Sequence, residues 1–101
     1  MTTLVVLFNL KDSAAVTQYE AWARAIDLPT AGSLKSVDKF EVLRAQGLLG
    51  GGPAPYQYVE ILRVNDMRQF GSDIATPEMQ KVASQFQAFA SNPLFLLTES
   101  L

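Results

Sequence analysis

Any proton transfer by this chain must use Asp, Glu, Lys, Tyr, arginine-assisted water or the substrate itself, because its 101 residues include no histidine and no cysteine. Thiol nucleophiles, His-ligated haem, zinc fingers and Ser-His-Asp triads are thereby removed. Arg44 and Glu60 flank a glycine-rich turn. Conventional pairing of the two strands would bring them near each other on one sheet face, with Tyr58 on the same parity as Glu60. A carboxyl in an apolar interior keeps its proton unless a cation faces it, which suits a general acid or base. The same two residues would serve equally as an ion pair holding the sheet. Asp27, just before Pro29-Thr30, could act as a base, orient an imine or ring N–H, or cap local backbone donors. Arg24 could neutralise Asp27, bind a substrate carboxylate, or lie solvated on its helix. Tyr19 and Trp22 share a helical stripe, and Phe86 and Phe89 share another. Both stripes read as core, or as the walls of a slot for flat rings. The hydroxyls of Tyr19, Tyr56 and Tyr58 could donate to a developing oxyanion.

Other chemistry finds little support. No Asp/Glu cluster has calcium-loop spacing, so no metal site is expected. Gly50-Gly51-Gly52 runs into Pro53 rather than Lys-Ser/Thr and a helix, so it reads as a hairpin connection and not a phosphate cradle. Eight Lys and Arg against ten Asp and Glu give a net charge of -2, without the basic surplus of nucleic-acid binders. With 49% hydrophobic residues the chain is not disordered. No apolar run reaches the ~18 residues of a membrane span. Met1-Thr2-Thr3-Leu4 lacks the start of a secretory signal, so a cytoplasmic location is expected.

The elements that must position these residues read in order along one domain covering residues 1–101. Thr3 to Leu10 is a strand apolar on both parities, the mark of a strand covered on both faces. Ser13 should cap a helix through Ile26, with Val16, Tyr19, Trp22, Ala23 and Ile26 buried. Pro29 should end that helix, leaving a loop over 31–35. Strands follow at Val37 to about Leu49 and Tyr56 to Val64, joined by a turn over Gly47 to Pro55. Asn65-Asp66 caps a short helical turn with Met67 and Phe70. Thr76-Pro77-Glu78 opens a helix to about Ala90, and Leu94 to Leu101 is the last strand.

This β-α-β-β-α-β order predicts an α+β, ferredoxin-like fold with strand order 4-1-3-2 and helices on one face of an antiparallel sheet. Two helices cover only one face, yet the first strand is apolar on both. A symmetric homodimer, the dimeric α+β barrel, would cover the other, burying ~800 Å² or more per copy.

Specific strings carry a resemblance. Tyr19-Glu20-Ala21-Trp22-Ala23-Arg24-Ala25-Ile26-Asp27-Leu28-Pro29-Thr30 resembles the signature of the REDY-like family. So do Leu34-Lys35-Ser36-Val37 with Phe40, Arg44 and Gly47, and Pro55-Tyr56-Gln57-Tyr58-Val59-Glu60. Asp66-Met67, Phe70, Asp73, Phe86, Phe89-Ala90 and Asn92-Pro93-Leu94-Phe95 extend it over almost the whole chain. Lys35, where the family pattern leads one to expect proline, departs within a loop. The resemblance implies a dimeric α+β barrel of bacterial pigment and alkaloid pathways, prodiginine synthesis being the type example. It further implies a cofactor-free catalyst or chaperone for condensation, cyclisation or hydrolysis of a reactive aromatic intermediate of pyrrole or indole type, alongside other enzymes of the pathway. On this reading Glu60, Asp27, Arg44 and Tyr58 are the catalytic candidates. Tyr19, Trp22, Arg24, Tyr56, Phe86 and Phe89 are the substrate-binding candidates. Two alternatives stand beside it: a cofactor-free monooxygenase of aromatic substrates, and a non-catalytic carrier of a labile intermediate.

Overall fold

The computed structural model describes residues Met1–Leu101. Strand β1 (Thr2–Leu10) is followed by a 3-10 turn (Ser13–Ala15) and helix α1 (Val16–Trp22). The chain then passes through a π-helical segment (Ala23–Asp27) directly into α2 (Leu28–Gly32). Strands β2 (Val37–Arg44) and β3 (Tyr58–Val64) form a hairpin, and α3 (Met67–Ile74), α4 (Pro77–Phe89) and β4 (Ala90–Glu99) complete the chain. All pairings are antiparallel, in the order β2-β3-β1-β4, as the sequence predicts.

Alternation along the central strands decides what faces the helices. Val6, Phe8 and Leu10 of β1 and Tyr58, Glu60, Leu62 and Val64 of β3 point to the helical side and are buried. Val5, Leu7, Val59 and Ile61 point the other way and are half-buried, on a face without helices. Beside them Leu94 and Leu96 of β4 are each 46% exposed. On the helical side of the same strand Phe95 is 54% and Leu97 66% exposed. The helix-free face of the sheet therefore stays apolar and open, and β4 leaves apolar side chains exposed on both faces.

The first helical region departs from expectation in a way that matters for the site. Pro29 does not end the helix. A proline has no N–H to donate and its ring crowds the carbonyl four residues back. Here the preceding residues widen to π geometry, with the Leu28 N–H donating to the Ala23 carbonyl, and helical structure continues to Gly32. The wider turn also changes which residues face inward. Tyr19, Ala23, Asp27 and Ala31, four apart, form the buried stripe, whereas Ile26, expected inside, is 40% exposed. An α-helix turns every 3.6 residues, so a four-residue stripe drifts off the buried face unless the helix is locally unwound, and the π turn supplies that unwinding. Asp27 thereby stands where regular helical periodicity would put Ile26.

Other boundaries shift for local reasons. Asp12, not Ser13, caps the first turn by accepting from the Ala14 N–H. Strand β2 stops at Arg44 rather than near Leu49, because the chain turns where Gly47, Gly51 and Gly52 adopt positive φ. Asn9 and Gln57 tie the end of that segment to β1. Strand β3 begins at Tyr58 and β4 at Ala90, immediately after α4; Asn92 (φ 44) takes up the irregularity in its pairing with β1. Asp66 and Thr76 cap their helices as expected. No helix is long and apolar enough to cross a membrane.

Candidate active site

Glu60 occupies the middle of β3, where strand alternation turns it toward the helices, and Asp27 descends from the π segment directly onto it. Only 6% of Glu60 and 5% of Asp27 is exposed. The two carboxyls meet in hydrogen-bonding contact. No cation stands near. Burial, with Asp27 beside it, pushes the Glu60 carboxyl far above the usual carboxylate range. Burial raises Asp27 to about 6, offset by the proton that Glu60 donates to it. Two buried carboxyls in contact cannot both ionise cheaply, so they give up their protons one after the other, Asp27 before Glu60. One carboxyl is then an acid and the other a base.

The pair borders a cavity of about 240 Å³ enclosed by the sheet, α2, α3 and α4. Phe40, Leu62, Phe70, Met79, Val82 and Phe86 form much of its wall. Exposed residues, Ile74, Gln80, Gln87 and Phe95, also line it and mark its mouth. This size lies just below the ~300 Å³ at which typical small-ligand pockets begin and suits one or two fused or linked rings. Tyr19, fully buried, lines a neighbouring cleft rather than this cavity, and its hydroxyl has no partner. Burial and the charges of Glu60 and Asp27 raise its pKa, so it stays a neutral O–H donor. No three acidic side chains converge, so Asp27 and Glu60 are the only metal-ligand types the site offers.

Arg44 and Glu60 do share a sheet face, with Arg44 opposite Tyr58 and Glu60 opposite Val42, but they form no pair. Arg44 reaches out to Glu20 on α1 instead, donating from Nε at 2.8 Å and also from Nη2. The Tyr58 hydroxyl donates to the same carboxylate at 2.7 Å, and Arg24 approaches it at 3.4 Å. Arg24 therefore does not neutralise Asp27. Glu20, Arg24, Arg44 and Tyr58 line a separate cleft of about 90 Å³. The Arg44 guanidinium, then the Tyr58 hydroxyl, hold Glu20 down at about 2. Burial, then the bond to Glu20, raises Tyr58 to about 12. Because the folded protein binds the Glu20 proton more weakly than the unfolded chain, this network adds stability above pH ~4.3, and the addition is lost as pH falls toward 2. Glu20→Gln should lower the melting temperature at pH 7 and flatten acid unfolding across that window. Thermal melts at pH 2 to 7 check it, and an unchanged profile contradicts the role.

The aromatic candidates divide as well. Phe86 faces the cavity. Trp22 and Phe89 pack with Tyr19 in the core, and the Trp22 indole N–H donates to Gln85 Oε1 at 3.0 Å, joining α1 to α4. Tyr56 is half-buried in the segment before β3 and lines neither cavity. The flat-ring walls are Phe40, Phe70, Phe86 and Phe95, three of which sequence reasoning did not place at the site. Glu20 was missed too. Its signal was an acid four residues before Arg24 on a helix.

Comparison with known proteins agrees with this architecture. The family model described as REDY-like protein HapK matches residues 2–101. The chain belongs to this family. HapK from Hahella chejuensis is 30% identical, with all of this chain covering 93% of that one at a TM-score of 0.81. More distant structures share the fold of this REDY-like chain. SnoaB from Streptomyces nogalater, a cofactor-independent oxygenase, is 18% identical over 99% of this chain and 92% of its own, with TM-score 0.75. A dimeric ferredoxin-like protein of unknown function from Thermobifida fusca is 12% identical over 98% and 90%, again at 0.75. Among curated proteins none matches the chain.

Proposed function

We propose that this REDY-like protein is a homodimeric catalyst of bacterial secondary metabolism that uses the Asp27–Glu60 pair as acid and base on a flat aromatic intermediate of pyrrole or indole type. The observation that carries the reading is the meeting of two buried carboxyls, with no cation among the lining residues, at the wall of a phenylalanine-lined cavity. Membership of the HapK family, together with the prodiginine-type pathways that the resemblance implies, supports the substrate class. Arg44 and Tyr58 act through Glu20, holding α1 against β2 and β3, and are positioning residues in this scheme.

Condensation of a ring aldehyde with a pyrrole illustrates what the pair can do. The nucleophile's ring carbon bonds to the aldehyde carbon as Glu60 gives its proton to the carbonyl oxygen. The ring C–H proton passes to Asp27, restoring aromaticity. Asp27 returns that proton to the new hydroxyl, which leaves as water. The conjugated product keeps a positive charge, and solvent reprotonates Glu60 after release. No electron changes hands, so the chain's own groups supply all the chemistry. The cavity contributes by excluding water and holding the partners in a reactive approach.

The test is turnover of pyrrole-2-carbaldehyde with 2-methylpyrrole, followed as visible absorbance of the dipyrrin. Rate against pH should be bell-shaped. It falls below about 6 as Asp27 takes up a proton, and falls at high pH as Glu60 gives up its own. Asp27→Asn should remove the acidic limb and lower the rate ~100-fold or more. Product that stops at one equivalent per cavity favours a carrier instead. The oxygenase reading draws on the fold shared with SnoaB, and oxygen uptake with a phenolic substrate would support it.

A further inference from the structure

The cavity's charge pattern restricts what enters it. Its lining has four phenylalanines, two glutamines and the two carboxyls, and no lysine or arginine. Arg24 and Arg44 are committed to Glu20 in the other cleft. Nothing but burial and the partner carboxyl acts on the protons of Asp27 and Glu60. Glu60 Oε2, deeply buried, receives no hydrogen bond from another residue's N–H or O–H. The site thus has acceptor capacity and negative charge, both uncompensated, at a surface built for flat rings.

We infer that this pocket selects flat heteroaromatic ligands whose ring N–H is cationic, or becomes cationic during reaction, and rejects carboxylates and other anions. A protonated ring nitrogen would donate to the carboxyl pair and cancel its charge where low polarity makes that interaction strong. An anion would face the same charge with no donor to receive it. The selection rests on the acid/base reading of the same pocket and adds the sign of the charge the pocket stabilises. It favours reactions through iminium-like cations over those through substrate carbanions or phenolates, which an oxygenase without cofactor would require.

Calorimetric titration of the full chain with three probes tests this: 2-aminobenzimidazole, a flat amidinium-type cation; indole, neutral; and indole-2-carboxylate. At pH 7 the cation should bind at least tenfold tighter than indole and at least 100-fold tighter than the carboxylate. Asp27 and Glu60 are the titratable groups that line the cavity, and Tyr19, beyond its wall, stays neutral. Lowering the pH to 5, below the raised pKa of Asp27, protonates most of it and should shrink the cation's advantage about tenfold. Asp27→Asn should weaken the cation tenfold or more, and an unchanged circular dichroism spectrum would show an intact fold. A carboxylate that binds as well as the cation, or a cation preference that survives Asp27→Asn, overturns the inference. Cation preference absent while turnover still requires Asp27 would sink the selectivity alone. Preference intact with Asp27→Asn turning over normally would sink the catalytic role alone.

Discussion

Replacing Glu60 by glutamine should lower turnover by ~10²–10³-fold and, in the same protein, raise the melting temperature at pH 8. The amide cannot give up a proton to substrate, yet it has nearly the shape of the carboxyl and still donates to Asp27. Stability moves the other way because of proton linkage. Both carboxyls have raised pKa values in the folded protein, so between pH ~4 and those raised values the folded state binds more protons than the unfolded one. Stability therefore falls as pH rises, first through about 6 and then further as Glu60 is forced to ionise. Glutamine abolishes the second loss. A gain of roughly 1 kcal/mol corresponds to about 4–8 °C in a domain of this size. Turnover and melts of the wild type and Glu60→Gln at pH 6 and 8 decide the matter. A variant that melts lower at pH 8 contradicts the raised pKa, and one with full turnover contradicts the acid.

Leu96→Glu should convert dimers to monomers, an effect on assembly as large as that of Glu60→Gln on turnover. Leu96 lies opposite Val5, which in turn lies opposite Ile61, in the middle of the open apolar face. If a second copy covers that face, the new carboxylate is buried without a partner, at a cost of about 3 kcal/mol or more, which is over 100-fold in dissociation constant. Light scattering should give twice 11.1 kDa for the wild type and 11.1 kDa for the variant at micromolar concentration. A wild type that scatters as one chain would leave β4 uncovered and remove the dimer from the proposal. Comparing cavity ligands in both forms then tests whether the mouth beside Phe95 needs the second copy.

Much of the architecture was legible because strands and caps are written locally. The two-sided apolar run from Leu4 to Leu10 marked a central strand, and Thr76-Pro77-Glu78 marked the start of α4. Glycines after Arg44 located the hairpin connection, though not the residue at which β2 stops. Asp27 and Glu60 could be singled out by type, since a chain without histidine has few other acids and bases. Their partners could not. Arg44 looked like the mate of Glu60 from strand pairing, but a long side chain at the sheet edge reaches whichever carboxylate the helix layer presents, and that is Glu20.

By itself the sequence determined the order of elements, the antiparallel sheet, its apolar faces and the kinds of chemistry within reach, because alternation, caps and composition act over a few neighbours. Tertiary structure decided which carboxyls meet. Asp27 reaches Glu60 because a π turn ahead of Pro29 rotates the helix until the acid, rather than Ile26, faces the sheet. That rotation depends on packing against strands distant in the chain, and burial, which arises only once the layers close, turns two ordinary carboxyls into a coupled pair with raised pKa values.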